Sequence, residues 1–214
     1  MDHSLHLKEE RLNALSHGIG AALSAFGLVL LLQRAAVFED FAYTVSCTIY
    51  GLSFCLVFLS STLLHCSRTP KWGQRFERLD HAAIFIAIAG SYTPFLMITL
   101  QGKLGYTLLL LIWALALCAV RYIRFIIRRF IPWGLLTYLL MAGFMGAFIV
   151  PLEALLPNVA MVWVLAGVMM YIIGLLFFLW RRLRFHHAIW HLFVLAGSGC
   201  HFIAVYSFVM PALL

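Results

Sequence analysis

Seven apolar stretches, each close to the ~20 residues that a helix needs to cross a bilayer, take up most of this chain. They are expected over 15–33, 42–65, 82–100, 104–122, 133–152, 159–179 and 187–211. The connections between them are short, as in a compact bundle. The expected fold is therefore all-α: a polytopic bundle of seven transmembrane helices over residues 15–214. A polar segment, 1–14, precedes it and is expected on the cytoplasmic membrane surface, with Leu12 and Leu15 dipping in. Only 11% of the residues are charged and 64% are hydrophobic, against about 25% charged in a soluble domain. No secretory signal peptide is expected, because the first apolar run is long and nothing resembling a cleavage site follows it.

The breaks between stretches carry the residues that end helices. Pro70, Pro132, Pro151 and Pro157 fall in connections or at span ends, where a missing N–H does least harm. Pro94 lies inside the third span and is expected to kink it. Gly90, Gly143, Gly146, Gly167, Gly174, Gly197 and Gly199 lie within spans and are expected to let helices pack closely.

The basic residues are distributed on one side. Lys8 and Arg11, Arg68 to Arg78, Arg121 to Arg129, and Arg181 to Arg184 occupy one set of connections; Arg34 and Lys103 are alone in the other. This positive-inside bias puts the N-terminus in the cytoplasm and, with seven spans, the C-terminus outside. A miscounted span would break the alternation. Topology thus accounts for the net charge of +7, and no nucleic-acid partner is expected. The stretch Arg121 to Arg129 is expected to touch anionic lipid headgroups. Five cysteines are scattered in or beside apolar spans without CxxC spacing, as small packing residues rather than a disulfide frame.

Against this apolar background the polar residues inside spans stand out. The segment from Arg184 to Val205 carries His186, His187, His191 and His201. Residues four apart share a helix face, so His187 and His191 point at one place. His201 lies roughly 15 Å further along the axis, and a hydrogen bond to another span is its expected role. His186 is turned about 100° from His187 and does not pair with His191 as well. The second span ends with Ser61 and His65, again four apart, and the third opens with Asp80 and His81. Three helix ends thus meet at one membrane depth with His65, Asp80, His187 and His191. His81 and His186 stand beside these as alternatives, with His81 expected at the interface. Asn13 and His17 at the mouth of the first span have two readings: helix capping with an interfacial histidine, or support for the site.

Three histidine nitrogens with one open position make a catalytic zinc centre, and the ion lowers the pKa of a bound water towards neutrality. The expected assignment is His65, His187 and His191 as Zn2+ ligands, Asp80 beside the metal or acting as base, and Ser61 as a supporting hydroxyl.

The segments NALSHGIG, SSTLLHCS, RLDHAAIFIAIAGSYTPF and HHAIWHLFVLAGSGCHF resemble the bacterial hemolysin-III family, the prokaryotic branch of the progestin and adipoQ receptor superfamily. The resemblance spans nearly the whole chain. It implies seven transmembrane helices with the N-terminus inside, and a zinc ion held near the cytoplasmic leaflet by His65, His187 and His191. Asp80 and Ser61 match the family's aspartate and serine. The chain has no long soluble N-terminal region such as eukaryotic receptor members carry, so hormone reception is not expected of it. Nor is a pore, since no polar stripe runs along several helices.

The superfamily is also similar to alkaline ceramidases, zinc enzymes that cleave lipid amides. One expectation is therefore a zinc-dependent hydrolase of a lipid amide or ester bond at the inner leaflet of a bacterial inner membrane, serving membrane homeostasis, with membrane lipid as substrate or ligand. The alternative is a non-catalytic sensor or regulator in which zinc clamps the second and seventh spans. Transport is a weaker third reading, because the spans hold almost no charge beyond Asp80.

Overall fold

A computed structural model describes residues 3–128, 134–147 and 149–210. The described residues form nine α-helices and no strand. They are α1 (His3–Ala36), α2 (Phe41–Cys66), α3 (Pro70–Pro94), α4 (Gly102–Arg121), α5 (Ile123–Arg128), α6 (Leu135–Gly143), α7 (Ile149–Glu153), α8 (Asn158–Leu179) and α9 (His186–Ala204). Six helices are long and apolar enough to cross a membrane: α1, α2, α3 with its continuation to Leu100, α4, α8, and α9 with its continuation to Val209. Large apolar side chains such as Phe26, Leu110, Val162 and Leu176 project outward from them. Among the six, α3 is the most enclosed and α8 the least.

The helix boundaries of α2, α4 and α8 fall within two residues of those expected. The fifth expected span, 133–152, is described as α6, a 3-10 turn over Phe144–Ala147, and α7. Arg129 and Pro132 lie outside the described residues, as does the expected end of the last span at residue 211.

Two helices extend beyond the apolar runs. α1 continues unbroken across residue 14, so the polar segment and the first span share one helix. Its polar face turns inward, with Glu9, Asn13, Ser16 and His17 all buried. α3 begins at Pro70, twelve residues before the apolar run, with proline at the first helical position and Thr69 as N-cap. There the ring costs no hydrogen bond, because the first-turn N–H groups lack intrahelical partners. α2 opens on Asp40, whose carboxylate accepts from the Ala42 N–H at 2.7 Å.

Pro94 does not end its helix. The chain passes into a π-helical turn over Phe95–Leu100, the wider winding that accommodates an interrupted hydrogen-bond ladder.

The glycines divide. At Gly20 a methyl group would lie 2.5 Å from the Phe58 ring, and at Gly197 2.8 Å from the Tyr171 ring; these are places where α1 meets α2 and α8 meets α9. Gly90, Gly167 and Gly174 are likewise in close contact. Gly143, Gly146 and Gly199 are not: nothing lies within 4 Å of a methyl group placed there. Gly143 ends α6, Gly146 lies in the 3-10 turn and Gly199 faces outward, so the close packing expected of these three is not made by the described residues.

Candidate metal centre

The N-terminal end of α9 enters on Phe185, whose left-handed backbone (φ 59°) turns the chain sharply into the helix. One turn of α9 then separates His187 from His191, with ring centroids 4.6 Å apart. α2 ends where α9 begins, and His65 in its last turn lies 5.2 Å, centroid to centroid, from each of them. One ligand nitrogen from each ring falls within 4.8 Å of the other two. His191 is fully buried; His65 and His187 are partly exposed.

The hydrogen bonds around these rings determine which nitrogens are available. His65 Nδ1 lies 3.0 Å from Glu10 Oε2. A carboxylate only accepts, so Nδ1 carries the proton and Nε2 the lone pair. His191 Nδ1 lies 3.1 Å from Ser16 Oγ and 3.3 Å from the Asn13 carbonyl. The Ser16 hydroxyl donates to that same carbonyl at 3.0 Å, which leaves its oxygen to accept from His191. Again Nδ1–H donates and Nε2 is left as the base. Both Nε2 atoms are buried without a hydrogen-bond partner. Orphaned imidazole nitrogens in an apolar bundle are costly. Three clustered imidazoles, two of them (His65 and His191) with Nδ1 anchored on a carboxylate or a carbonyl, are the donor set of a divalent transition metal, zinc foremost. The residues fit such an ion.

His17 adds a feature of its own. Its ring stacks on His191, centroids 3.5 Å apart and planes 13° from parallel, and both of its nitrogens are buried without a partner. Phe58 meets its face edge-on at 5.1 Å. His17 thus covers one face of the His191 ring.

Asp80, which lies well inside α3 (Pro70–Pro94) rather than at its opening, faces the hydroxyls of Ser60 and Ser61 on α2 and lies within the electrostatic reach of His65. It stands beside the histidine cluster without belonging to it. Ser61 is buried at the α2–α3 contact. Trp190 and Phe178 wall the other side, 5.0 and 5.8 Å from the His187 ring.

The remaining histidines lie elsewhere. His81 turns towards α6, its Nδ1 3.2 Å from the Tyr138 hydroxyl. His186 is 6.3 Å from His187 and outside the cluster. His201 sits deep against α8, near the Val164 carbonyl and the Tyr171 ring. Glu10 and Ser16, which hold the ring nitrogens of His65 and His191, do not stand out in the sequence. Their signal is periodic: Glu10, Asn13, Ser16 and His17 recur at helical spacing where α1 passes from its polar start into the apolar run.

A family profile described as "Haemolysin-III related" matches residues 5–202. "Hemolysin-3" of Bacillus cereus is 46% identical over 205 residues, covering 96% of this chain and 94% of that protein. "Hemolysin-3 homolog" of Bacillus subtilis (strain 168) is 43% identical, with 93% of each covered. The human "Monocyte to macrophage differentiation factor" is 28% identical over 207 residues, covering 94% of this chain and 84% of its own length.

Proposed function

Because this chain belongs to the haemolysin-III related family, within the progestin and adipoQ receptor superfamily, we propose that it is a zinc-dependent hydrolase of a lipid amide or ester bond. In this reading it is a seven-span protein of the bacterial cytoplasmic membrane, with residues 1–14 at the cytoplasmic lip, the N-terminus inside and the C-terminus outside. Its substrate is a membrane lipid whose scissile carbonyl reaches the inner-leaflet end of the bundle. Its role is in membrane homeostasis. The observation that carries the proposal is the set of three histidine nitrogens within 4.8 Å of one another, two of them orphaned, with a carboxylate and a hydroxyl alongside.

A zinc ion held by His65, His187 and His191 supplies Lewis acidity and a water acidified to near neutrality. The chain's own groups do the rest. Asp80 orients the attacking water and accepts its proton, then returns that proton to the departing amine or alcohol. Ser61, one turn before His65, donates to the Asp80 carboxylate or to the substrate carbonyl. Glu10 and the Asn13 carbonyl hold the ligand rings in one tautomer. Trp190 and Phe178 limit water access from the α8 side.

A second reading is favoured by the source of the ligands. They come from α2 and α9, and the groups behind them from α1. A metal there ties three helices together, as a non-catalytic sensor with a structural clamp would require.

One experiment separates the two. Zinc-loaded protein in detergent is assayed against ceramides and lysophospholipid esters, beside Asp80→Asn and Ser61→Ala. The hydrolase reading expects turnover in the wild type, a loss of about 10²-fold or more in Asp80→Asn, and full zinc content in both variants. Silence of the wild type across the lipid amides and esters would overturn it and leave the clamp.

A further inference from the structure

On the outside of the bundle, where α1 closes against α9, an apolar groove of about 390 Å³ opens sideways. Leu12, Leu15 and Ile19 line it from α1, and Ile189 and Leu192 from α9. All three α1 residues are exposed, as is Leu192. They continue a single face whose next position towards the N-terminus is Lys8, four residues before Leu12 and exposed. Arg184 lies at the same end from the α9 side, itself lining the groove, with its guanidinium 5.9 Å from the Phe185 ring centre. Of the carboxylates next to Lys8 in sequence, Glu9 is buried and Glu10 holds His65. Neither Lys8 nor Arg184 forms an ion pair with a described residue.

We propose that this groove is a binding site for one anionic phospholipid, with an acyl chain along Leu12, Leu15, Ile19 and Leu192 and the headgroup phosphate between Lys8 and Arg184. The charge pattern selects this occupant. Two cations stand at one end of a largely apolar slot, which matches an amphiphile with one anionic end. Both cations belong to the set that the positive-inside bias assigns to the cytoplasmic leaflet, where anionic lipid is concentrated. A neutral lipid would leave the cations unanswered, and a free phosphate would leave the slot unfilled. The inference does not depend on the metal centre, although Ser16 lines the groove and contacts His191. A seated lipid therefore braces the wall of that centre from outside.

The test is lipid retention. Full-length protein is reconstituted in nanodiscs of phosphatidylcholine with phosphatidylglycerol as the minor component, released gently, and weighed by native mass spectrometry. Wild type is expected to keep one phosphatidylglycerol per chain in preference to phosphatidylcholine. Each cation removed is expected to weaken retention on the order of five-fold, so Lys8→Gln/Arg184→Gln loses the preference. Arg184→Lys keeps most of it, because a phosphate accepts either cation. Ile19→Trp, which fills the slot and leaves both charges, is expected to lose the lipid as well. Equal retention of the two lipids by wild type would overturn the proposal. So would undiminished retention in the double variant, retention by Ile19→Trp, or a lipid-free dimer joined at this face.

Discussion

The Glu10 carboxylate on α1 lies 3.0 Å from Nδ1 of His65 on α2, joining two helices behind the ring nitrogen that faces the metal centre. The pair fixes the tautomer of His65 and presents Nε2 inward. A carboxylate behind a ligating histidine also makes the imidazole a better base. Glu10 is thus part of the candidate site from behind His65 rather than among the three clustered rings.

That position predicts a graded defect. Glu10→Gln retains three histidines and loses the anionic partner, so metal affinity should fall by roughly ten- to a hundred-fold while the fold persists. Competition against a chelator of known affinity measures it. Affinity equal to wild type would show that the contact does not support the site.

The stack of His17 on His191 predicts a different pattern. An aromatic ring at residue 17 preserves the 3.5 Å contact; a methyl group does not. His17→Phe should retain metal within a few-fold of wild type, and His17→Ala should lose about ten-fold. Equal loss in both variants would mean that a nitrogen of His17 is needed rather than its face.

Helix packing gives a prediction independent of metal. A methyl group on Gly167 would meet the His201 ring and lie 3.1 Å from the Gly197 carbonyl, whereas one on Gly199 meets nothing within 4 Å. Gly167→Ala should cost roughly 1–3 kcal/mol through overpacking. Gly199→Ala should be neutral or slightly stabilising, since alanine is the better helix former. Thermal unfolding in detergent compares the two, and a reversed order would contradict the α8–α9 contact.

Metal removal should act on the fold as well as on chemistry. An ion bound only by the native state stabilises it by mass action, and one held by His65, His187 and His191 would link α2 to α9. Chelation should lower the unfolding temperature of the wild type and leave that of His187→Ala unchanged. An identical response in both would place the stabilising metal elsewhere.

Several parts of this architecture are legible in the sequence because one physical rule governs each. The i,i+4 spacing of His187 and His191, and the matched depth of His65 and Asp80, follow from helix geometry and hydropathy alone. What is not legible depends on partners remote in the chain. Glu10 and His65 are 55 residues apart, and a glutamate in a polar stretch before an apolar run looks like surface. The same charge hides the helical start of α3, where Lys71, Arg75 and Arg78 suggest a loop although Pro70 begins a helix. The 3-10 turn over Phe144–Ala147 is likewise invisible to a hydropathy window, which averages over turns. Pro94 signals a disturbance in the helix, but not that the chain would answer with a π-helical turn.

The central claim is that His65, His187 and His191 hold one metal ion. The most direct measurement is the metal content of the detergent-purified chain by mass spectrometry, beside His187→Ala/His191→Ala. About one zinc per chain is expected in the wild type and none in the variant. A wild type without metal, or the same metal in both proteins, would contradict it and leave the three rings as packing groups at the end of a helical bundle.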